Sequence, residues 1–144
     1  MPQSLITITS AEIVDLRVPT SDQMLGSDPF HKAPDYSSAV LHLETDSDLR
    51  GVSVVFTIGA GTDWMCHGIR DLSQLVVGTQ LNEFTDSPIQ LYRRLIDHHQ
   101  LRWLHDGVFR MAAGAVLNAM WDLWAKSHNK PLWKLLVDLE PEFV

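Results

Sequence analysis

Apolar and polar residues alternate in the first part of the chain, which is the pattern of half-buried β-strands. The alternation covers residues 5–18, 36–45 and 51–58, and the acidic segment Asp46-Ser47-Asp48 separates the last two runs. Strands joined by a short turn pair in antiparallel fashion, so these runs predict a hairpin within a small antiparallel sheet. In the third run the apolar side chains share one face of the strand: Val52, Val54, Phe56 and Ile58.

The period of the apolar positions then changes to that of amphipathic helices. A first helix can be capped by Thr62 or Asp63, and its apolar positions are Met65, Ile69, Leu72 and Val76. Ser87 and Pro88 favour the start of a second helix, which is expected to run toward Trp103. A third helix covers Val108–Ser127, and Pro131 begins a short helical turn. The pattern predicts an α+β fold, a three-stranded antiparallel sheet followed by a bundle of about three helices.

The third helix is apolar around nearly its whole circumference. Its polar side chains are almost confined to one stripe, made of Arg110, Asn118, Asp122 and Lys126. A helix of this kind has to be covered on nearly all sides, and its small residues allow another backbone to come close. Two interpretations remain open. Either a second copy or another domain covers this apolar helix, or it is the central core helix of a small α+β domain.

Composition narrows the class of protein. The 144 residues are 45% hydrophobic, which is enough for one buried core, and 11 Lys+Arg against 18 Asp+Glu leave a net charge of -7. This charge argues against binding nucleic acid or an anionic membrane. Cys66 is the single cysteine, so an internal disulfide is excluded, and the chain has neither a signal-peptide pattern at its start nor a long apolar run. A cytoplasmic protein is the expected class.

Three candidate sites have simpler explanations. Gly59-Ala60-Gly61 lies between a strand and a helix but lacks the third glycine of a dinucleotide fingerprint, so a flexible turn is expected. His98, His99 and His105 resemble a metal patch, yet neighbouring side chains on a helix diverge by about 100°, which favours a solvated helix end. Cys66 has no general base near it in sequence and is expected to be an inert thiol. No catalytic, cofactor-binding or metal-binding residue is assigned.

The long loop at residues 19–34 offers better site chemistry, because loops of this length are usually functional or disordered. Gly26, Ser27 and Asp28 supply a permissive backbone, a hydroxyl and a carboxylate, and Asp35 with Tyr36 follows the loop. Such groups suit a ligand rich in hydroxyls, which donate and accept hydrogen bonds at once. The alternative is that Ser27 and Asp28 only hold a turn together, as short polar side chains commonly do.

Several sequence blocks carry a family resemblance over almost the whole chain. They are Arg17-Val18-Pro19-Thr20-Ser21, Gly26-Ser27-Asp28, Pro34-Asp35-Tyr36-Ser37-Ser38-Ala39, Val55-Phe56-Thr57-Ile58-Gly59, Gln100-Leu101-Arg102-Trp103, Ala115-Val116-Leu117-Asn118-Ala119 and Asn129-Lys130-Pro131-Leu132-Trp133. Together they resemble the N-terminal part of acid-sugar dehydratases of the enolase superfamily (mandelate racemase subgroup), above all the L-fuconate dehydratases. The chain departs from that pattern at Leu104-His105-Asp106-Gly107, which is about two residues shorter, and at Pro29-Phe30 and Lys32-Ala33.

The resemblance implies a two-domain enzyme of which this chain is the capping domain. Residues 1–137 would form the cap, and residues 138–144 would begin the linker to a missing (β/α) barrel. In that family a Mg²⁺ ion held by barrel carboxylates stabilises an enediolate, and the barrel also supplies the base and acid. Residues 19–35 and 57–62 would cover the barrel mouth, and Gly26, Ser27, Asp28 and Tyr36 would contact the sugar acid.

The expected function is therefore that of a specificity lid for a dehydratase of the type that converts L-fuconate to 2-keto-3-deoxy-L-fuconate, without activity of its own. One alternative is the lid of a different acid-sugar dehydratase. A second is a non-catalytic domain that associates with itself, or with a barrel partner, through the apolar helix.

Overall fold

The computed structural model describes residues 5–104 and 106–140, without the side chain of Arg102. Three strands, β1 (Ile8–Leu16), β2 (Ser37–Thr45) and β3 (Gly51–Thr57), form one antiparallel sheet in the order β1-β2-β3. The sequence pattern predicted all three strands and the β2–β3 hairpin. The predicted α+β class is confirmed.

Five α-helices follow the sheet in the described residues, where the pattern predicted about three helices. They are α1 (Thr62–Ser73), α2 (Leu81–Asp86), α3 (Pro88–Ile96), α4 (Val108–Ser127) and α5 (Leu132–Asp138). The six-residue α2 is too short to show a helical period, and α3 ends well before Trp103. Residues 97–100 are all polar, so they have no apolar face with which to prolong α3 along the core. None of the described helices is long and apolar enough to cross a membrane.

The core lies between one face of the sheet and the helices. Ala39, Leu41 and Leu43 point from β2 into this core and are fully buried. On α1 the predicted apolar positions, among them Ile69 and Leu72, are buried against the same face. Ala39, Leu41 and Leu43 share one face of the strand because side chains alternate between the two sides of a sheet.

The apolar helix α4 is covered by this chain itself. Ten of its side chains are buried, among them Val116, Met120 and Leu123, and the helix packs against β2, β3, α1, α2, α3 and α5. Val108 and Met111 are its exposed large apolar side chains. The sheet and α1 thus cover most of the surface of α4, as the central-core interpretation expected, while contact of a partner with the rest of the helix stays a prediction.

The edge strand β3 is tied to α4 by polar contacts. The Asp122 carboxylate accepts the Val52 N–H at 2.8 Å, and the Lys126 ammonium donates to the Arg50 carbonyl at 3.0 Å. These contacts come from the polar stripe of α4 and satisfy backbone groups that the sheet leaves unpaired at this edge. The stripe therefore docks the helix on the sheet.

The opposite face of the sheet carries the exposed apolar surface. Val14, Val40 and Val54 lie side by side across the three strands, and Leu16, Ser38 and Phe56 form the next row. Val54 and Phe56 are each 59% exposed. This outer sheet face comprises the exposed side chains of Val14, Leu16, Val18, Val54, Phe56 and Ile58.

Candidate functional site

Two loops meet at one end of the sheet. The first loop, residues 19–35, follows β1, and the second loop, residues 57–62, leads from β3 into α1. Because β1 and β3 run in the same direction on either side of β2, the carboxyl ends of both strands lie at this end of the sheet. The Asp35 N–H donates to the Ile58 carbonyl at 3.2 Å, which joins the two loops directly.

The two ends of the first loop are held together by short polar side chains. The Thr20 hydroxyl donates to the Pro34 carbonyl at 2.7 Å and accepts the Tyr36 N–H at 3.0 Å. The Asp35 carboxylate accepts both the hydroxyl and the N–H of Ser21, at 2.6 and 3.1 Å. These bonds, that of the hydroxyl first, lower the pKa of Asp35. The loop is therefore closed at its base.

Gly26 and Tyr36, two of the four predicted contact residues, lie against each other. The Tyr36 hydroxyl donates to the Gly26 carbonyl. Gly26 has a φ of +70°, and a Cβ there would come within 2.2 Å of Cε2 of Tyr36. Only glycine combines this backbone conformation with this close approach. The Tyr36 ring also lies 5.6 Å from that of Phe56, so the phenol links the loop to the sheet.

The other two predicted residues hold a turn at the exposed tip of the loop. Oδ1 of Asp28 accepts the N–H groups of Phe30 and His31 at 2.8 and 2.7 Å, while its Oδ2 lies 3.2 Å from Nδ1 of His31. The Ser27 hydroxyl points to the Met24 carbonyl at 3.4 Å. The His31 N–H, followed by that of Phe30, lowers the pKa of Asp28. The turn-holding alternative is thus observed for Asp28, whose side chain is still 49% exposed.

The second loop is a tight strand-to-helix turn, as its glycines indicated. Gly59 and Gly61 have φ values of +104° and +87°, and Gly61 is the residue that precedes α1. Thr62, expected as a helix cap, lies inside the first turn and donates its hydroxyl to the Gly59 carbonyl at 2.7 Å. The backbone therefore reverses within three residues and brings α1 under the sheet.

Arg17 joins the two loops, although the sequence pattern did not single it out. Its Nε and Nη2 donate to the two carboxylate oxygens of Asp15 at 2.5 and 2.7 Å, and its Nη1 donates to the Gly59 carbonyl at 2.7 Å. The guanidinium lowers the pKa of Asp15 in turn. The sequence does hold a signal for the pairing of Arg17 with Asp15. The two residues are two positions apart in an extended segment directly before the loop, so their side chains lie on the same side of the chain.

The remaining candidates stay apart from this site. The His98 and His99 rings stack at 4.9 Å, and within residues 5–104 and 106–140 no three metal-binding side chains cluster; His105 lies outside the described residues. Cys66 is buried, and burial raises the pKa of its thiol, as expected for an inert cysteine. A cavity of about 550 Å³ opens at the far end of the sheet, between the β2–β3 turn, α2 and the end of α4.

Comparison with known proteins places this geometry in a family. Residues 27–137 match the mandelate racemase / muconate lactonizing enzyme N-terminal domain. The L-galactonate dehydratase of Hypocrea jecorina is 43% identical over 141 residues, which cover 96% of this chain and 31% of that enzyme.

Solved structures give the same result for the fold. The crystal structure of human mitochondrial enolase superfamily member 1 superposes with a TM-score of 0.93 at 39% identity and covers 98% of this chain and 33% of that one. An enolase from Bradyrhizobium complexed with magnesium and mandelic acid shares the fold, with a TM-score of 0.74 at 20% identity over 93% of this chain and 35% of that one.

The chain spans about a third of the length of the curated relatives it matches. The match to the family covers most of the described residues, including the end of the first loop, the second loop, the helices α1 to α4 and all of α5 except Asp138. The chain therefore belongs to the mandelate racemase / muconate lactonizing enzyme N-terminal domain family, and its fold is that of the capping domain of enolase-superfamily proteins.

Proposed function

We propose that this chain is the lid and specificity domain of a magnesium-dependent sugar-acid dehydratase, a lyase whose catalytic barrel is supplied by further sequence or by a partner. Residues 1–137 form the cap in this proposal, and residues 138–144, of which 141–144 lie outside the described residues, begin the linker. The observation that carries it is the meeting of the first and second loops at one end of the sheet, with Ser27, Asp28 and Tyr36 on the first loop or at its end.

The lid acts through hydroxyl recognition and through exclusion of water. Oδ1 of Asp28 is occupied by two N–H groups, whereas its Oδ2 contacts the His31 ring and can accept from a sugar hydroxyl. The contact between Tyr36 and Gly26 fixes the loop tip relative to the sheet, so the carboxylate is presented in a defined place. In this proposal the first loop supplies binding groups, and the barrel supplies the acid and the base.

Magnesium belongs to the barrel in this proposal. The residues described here do not fit a magnesium site, since no cluster of three acidic, histidine or cysteine side chains occurs among them. The ion would provide the positive charge that stabilises an enediolate in the complete enzyme. The Bradyrhizobium relative solved with magnesium supports this assignment at the level of the superfamily.

L-Fuconate is the substrate we propose, and L-galactonate is the alternative that the Hypocrea jecorina relative suggests. L-Fuconate is 6-deoxy-L-galactonate, so the two differ only by the hydroxyl group on C6. A site that binds this hydroxyl should discriminate strongly against its loss, whereas an apolar site discriminates weakly against its gain. Phe30, 92% exposed at the tip of the first loop, could supply apolar contact to a methyl group.

A domain exchange tests the proposal. This chain replaces the N-terminal third of the Hypocrea jecorina L-galactonate dehydratase, and the chimera is assayed with magnesium on L-fuconate and L-galactonate. We expect the ratio of kcat/KM for L-fuconate to kcat/KM for L-galactonate to rise above that of the parent enzyme. A folded chimera with the parent's ratio would contradict specificity control by this lid. A folded chimera inactive on a wider sugar-acid panel would contradict the dehydratase role.

Asp28→Ala in the same chimera tests the proposed contact. The substitution should lower kcat/KM by the value of one or two hydrogen bonds, about 1 to 3 kcal/mol, without unfolding the cap. Asp22→Ala is the matched control, because Asp22 is an exposed carboxylate of the same loop. Equal kinetics for both variants would leave Asp28 with its turn-holding role alone.

The outer sheet face favours a second candidate function, a non-catalytic domain that associates with itself or with a barrel partner. The exposed apolar rows across β1, β2 and β3 form a contiguous patch of the kind found at interaction sites. Analytical ultracentrifugation of the 144-residue chain tests self-association. If the chain is a monomer at all concentrations and binds no apolar dye, self-association through the outer sheet face is excluded.

A further inference from the structure

A small set of contacts among the described residues joins the first loop to the second loop. A loop of this length loses considerable conformational entropy when it is held in one place. Its link to the second loop consists of the Asp35 N–H bonded to the Ile58 carbonyl and the close packing of Gly59 on Asp35, where an added Cβ would lie 2.8 Å from Cβ of Asp35. A third link, from Arg17, enters just before the loop begins.

The Gly59 carbonyl is the point at which three segments converge. It accepts from Nη1 of Arg17 at 2.7 Å, from the Thr62 hydroxyl at 2.7 Å and from the Thr62 N–H at 3.2 Å. These donors belong to the end of β1 and to the first turn of α1. The carbonyl therefore holds the start of the first loop, the second loop and α1 in one arrangement.

The guanidinium of Arg17 is itself held in position. Asp15 binds Nε and Nη2 with its two carboxylate oxygens, and Oδ1 of Asp63 lies 3.8 Å from Nη2. A planar group bound in this two-point manner can direct its remaining N–H groups along fixed lines. A lysine ammonium lacks this geometry, since it is a single point charge on a flexible stem.

We propose that Arg17 is a positioning residue that locks the first loop to the second loop, so that both move as one rigid lid. Its effect on substrate choice rests on the lid function proposed above, whereas the coupling between the loops can be measured without a substrate. Loss of Arg17 removes one of the three donors to the Gly59 carbonyl and weakens the link between the first loop and the second loop.

Amide hydrogen exchange of the 144-residue chain tests this coupling. In Arg17→Gln we expect the Asp35 and Thr62 amides to exchange about tenfold faster or more, the effect of losing roughly one charge-assisted hydrogen bond. The Leu41 and Leu43 amides in the core should keep their rates. Arg50→Gln is the matched control, because Arg50 pairs with Glu44 at 3.4 Å at the opposite end of the sheet and should leave the loop amides unchanged.

Two further variants sharpen the result. Arg17→Lys keeps the charge and should exchange as fast as Arg17→Gln, so wild-type rates in the lysine variant would contradict a role based on guanidinium geometry. Asp15→Asn weakens the group that orients Arg17 and serves as the test if Arg17→Gln fails to fold. We expect it to accelerate exchange of the Asp35 and Thr62 amides and to leave the Leu41 and Leu43 amides unchanged. In that case, unchanged loop rates in Asp15→Asn would overturn the proposal.

Other outcomes separate this inference from the proposed function. Wild-type exchange at Asp35 in a folded Arg17→Gln variant, or equal acceleration of core and loop amides, would overturn the positioning role. Faster loop exchange in Arg17→Gln supports it, even if the domain exchange with L-galactonate dehydratase yields no active enzyme. That second result would remove the dehydratase proposal and leave the coupling of the loops intact.

Discussion

Gly51 marks a close approach of β3 to α4. A Cβ built on Gly51 would lie 2.3 Å from the Ala119 carbonyl oxygen, which belongs to the helix backbone and cannot rotate away. Gly114 on the same helix differs, because no atom lies within 4 Å of its would-be Cβ. The two glycines therefore have opposite roles: one permits packing, and the other only weakens a helix.

Alanine substitutions should separate these roles. Gly51→Ala is expected to lower the free energy of unfolding by about 1 to 3 kcal/mol through overpacking. Gly114→Ala should raise it by about 0.5 to 1 kcal/mol, because alanine is the better helix former. Urea denaturation measures both values, and a Gly51→Ala variant as stable as wild type would show that β3 and α4 can move apart freely.

Asp35 should make the first loop sensitive to acid. Its pKa is lowered by the Ser21 hydroxyl and N–H, so its contribution to stability is complete above the unfolded value of about 3.9 and is lost as the pH falls through the lower folded pKa. NMR should show the Ser21 amide resonance unchanged from pH 7 to about pH 5 and shifting only in more acidic solution. Asp35→Asn should abolish this acid transition, and an identical transition in that variant would assign it to another group.

At the scale of single residues, sequence chemistry located groups but not their partners. The turn-forming character of Asp28 followed from its residue type, and the structure shows the expected bonds to Phe30 and His31. The contact between Tyr36 and Gly26 spans ten residues and could not be derived from spacing. Arg17 was missed as a functional residue for the same reason, since its partner Gly59 lies 42 positions away.

At the scale of elements, the sheet has two apolar faces that serve different purposes. Alternation marks Val52, Val54, Phe56 and Ile58 as one face of β3, yet this is the side directed away from the helices. Alternation shows which side chains share a face, but the packing of α1 and α4 decides which face is covered. The outer sheet face is therefore where the exposed apolar surface expected for α4 is found.

Isosteric substitutions should distinguish exposed from buried valines. Val54→Thr on the outer sheet face should change the free energy of unfolding by less than about 0.5 kcal/mol and reduce the binding of an apolar dye. Val116→Thr inside α4 should cost about 1 to 3 kcal/mol, because a hydroxyl is buried among apolar neighbours. Comparable losses for both variants would mean that the outer sheet face is covered in solution, for example by a second copy.

At the scale of the whole molecule, α4 connects the sheet to the other helices. It contacts β2 and β3 on one side and α1, α2, α3 and α5 on others, so neither half of the fold keeps its core without the other. Single domains of this size usually unfold in one cooperative step. The loop end is the exception, since it rests on a few polar contacts and can open locally.

Cooperativity can be tested with two probes. Near-ultraviolet circular dichroism reports on packed aromatic side chains such as Trp124, which is buried within α4, whereas far-ultraviolet circular dichroism reports on all helices. We expect both signals to give the same urea midpoint and the same m value, between about 1 and 3 kcal/mol/M. Separate midpoints would show that helices persist after the packing around Trp124 is lost, which would contradict a single cooperative unit built on α4.

The sequence by itself determined the α+β class, the three strands, the bounds of α4 and the turn-forming character of Asp28, because hydrophobic period and turn chemistry are local properties. Only the tertiary structure decided that α4 is covered from within, that the outer face of the sheet is the exposed one, and that Arg17 joins the two loops. These features depend on contacts between residues distant in sequence. Such contacts are set by how the elements pack around one core, and no local pattern encodes them.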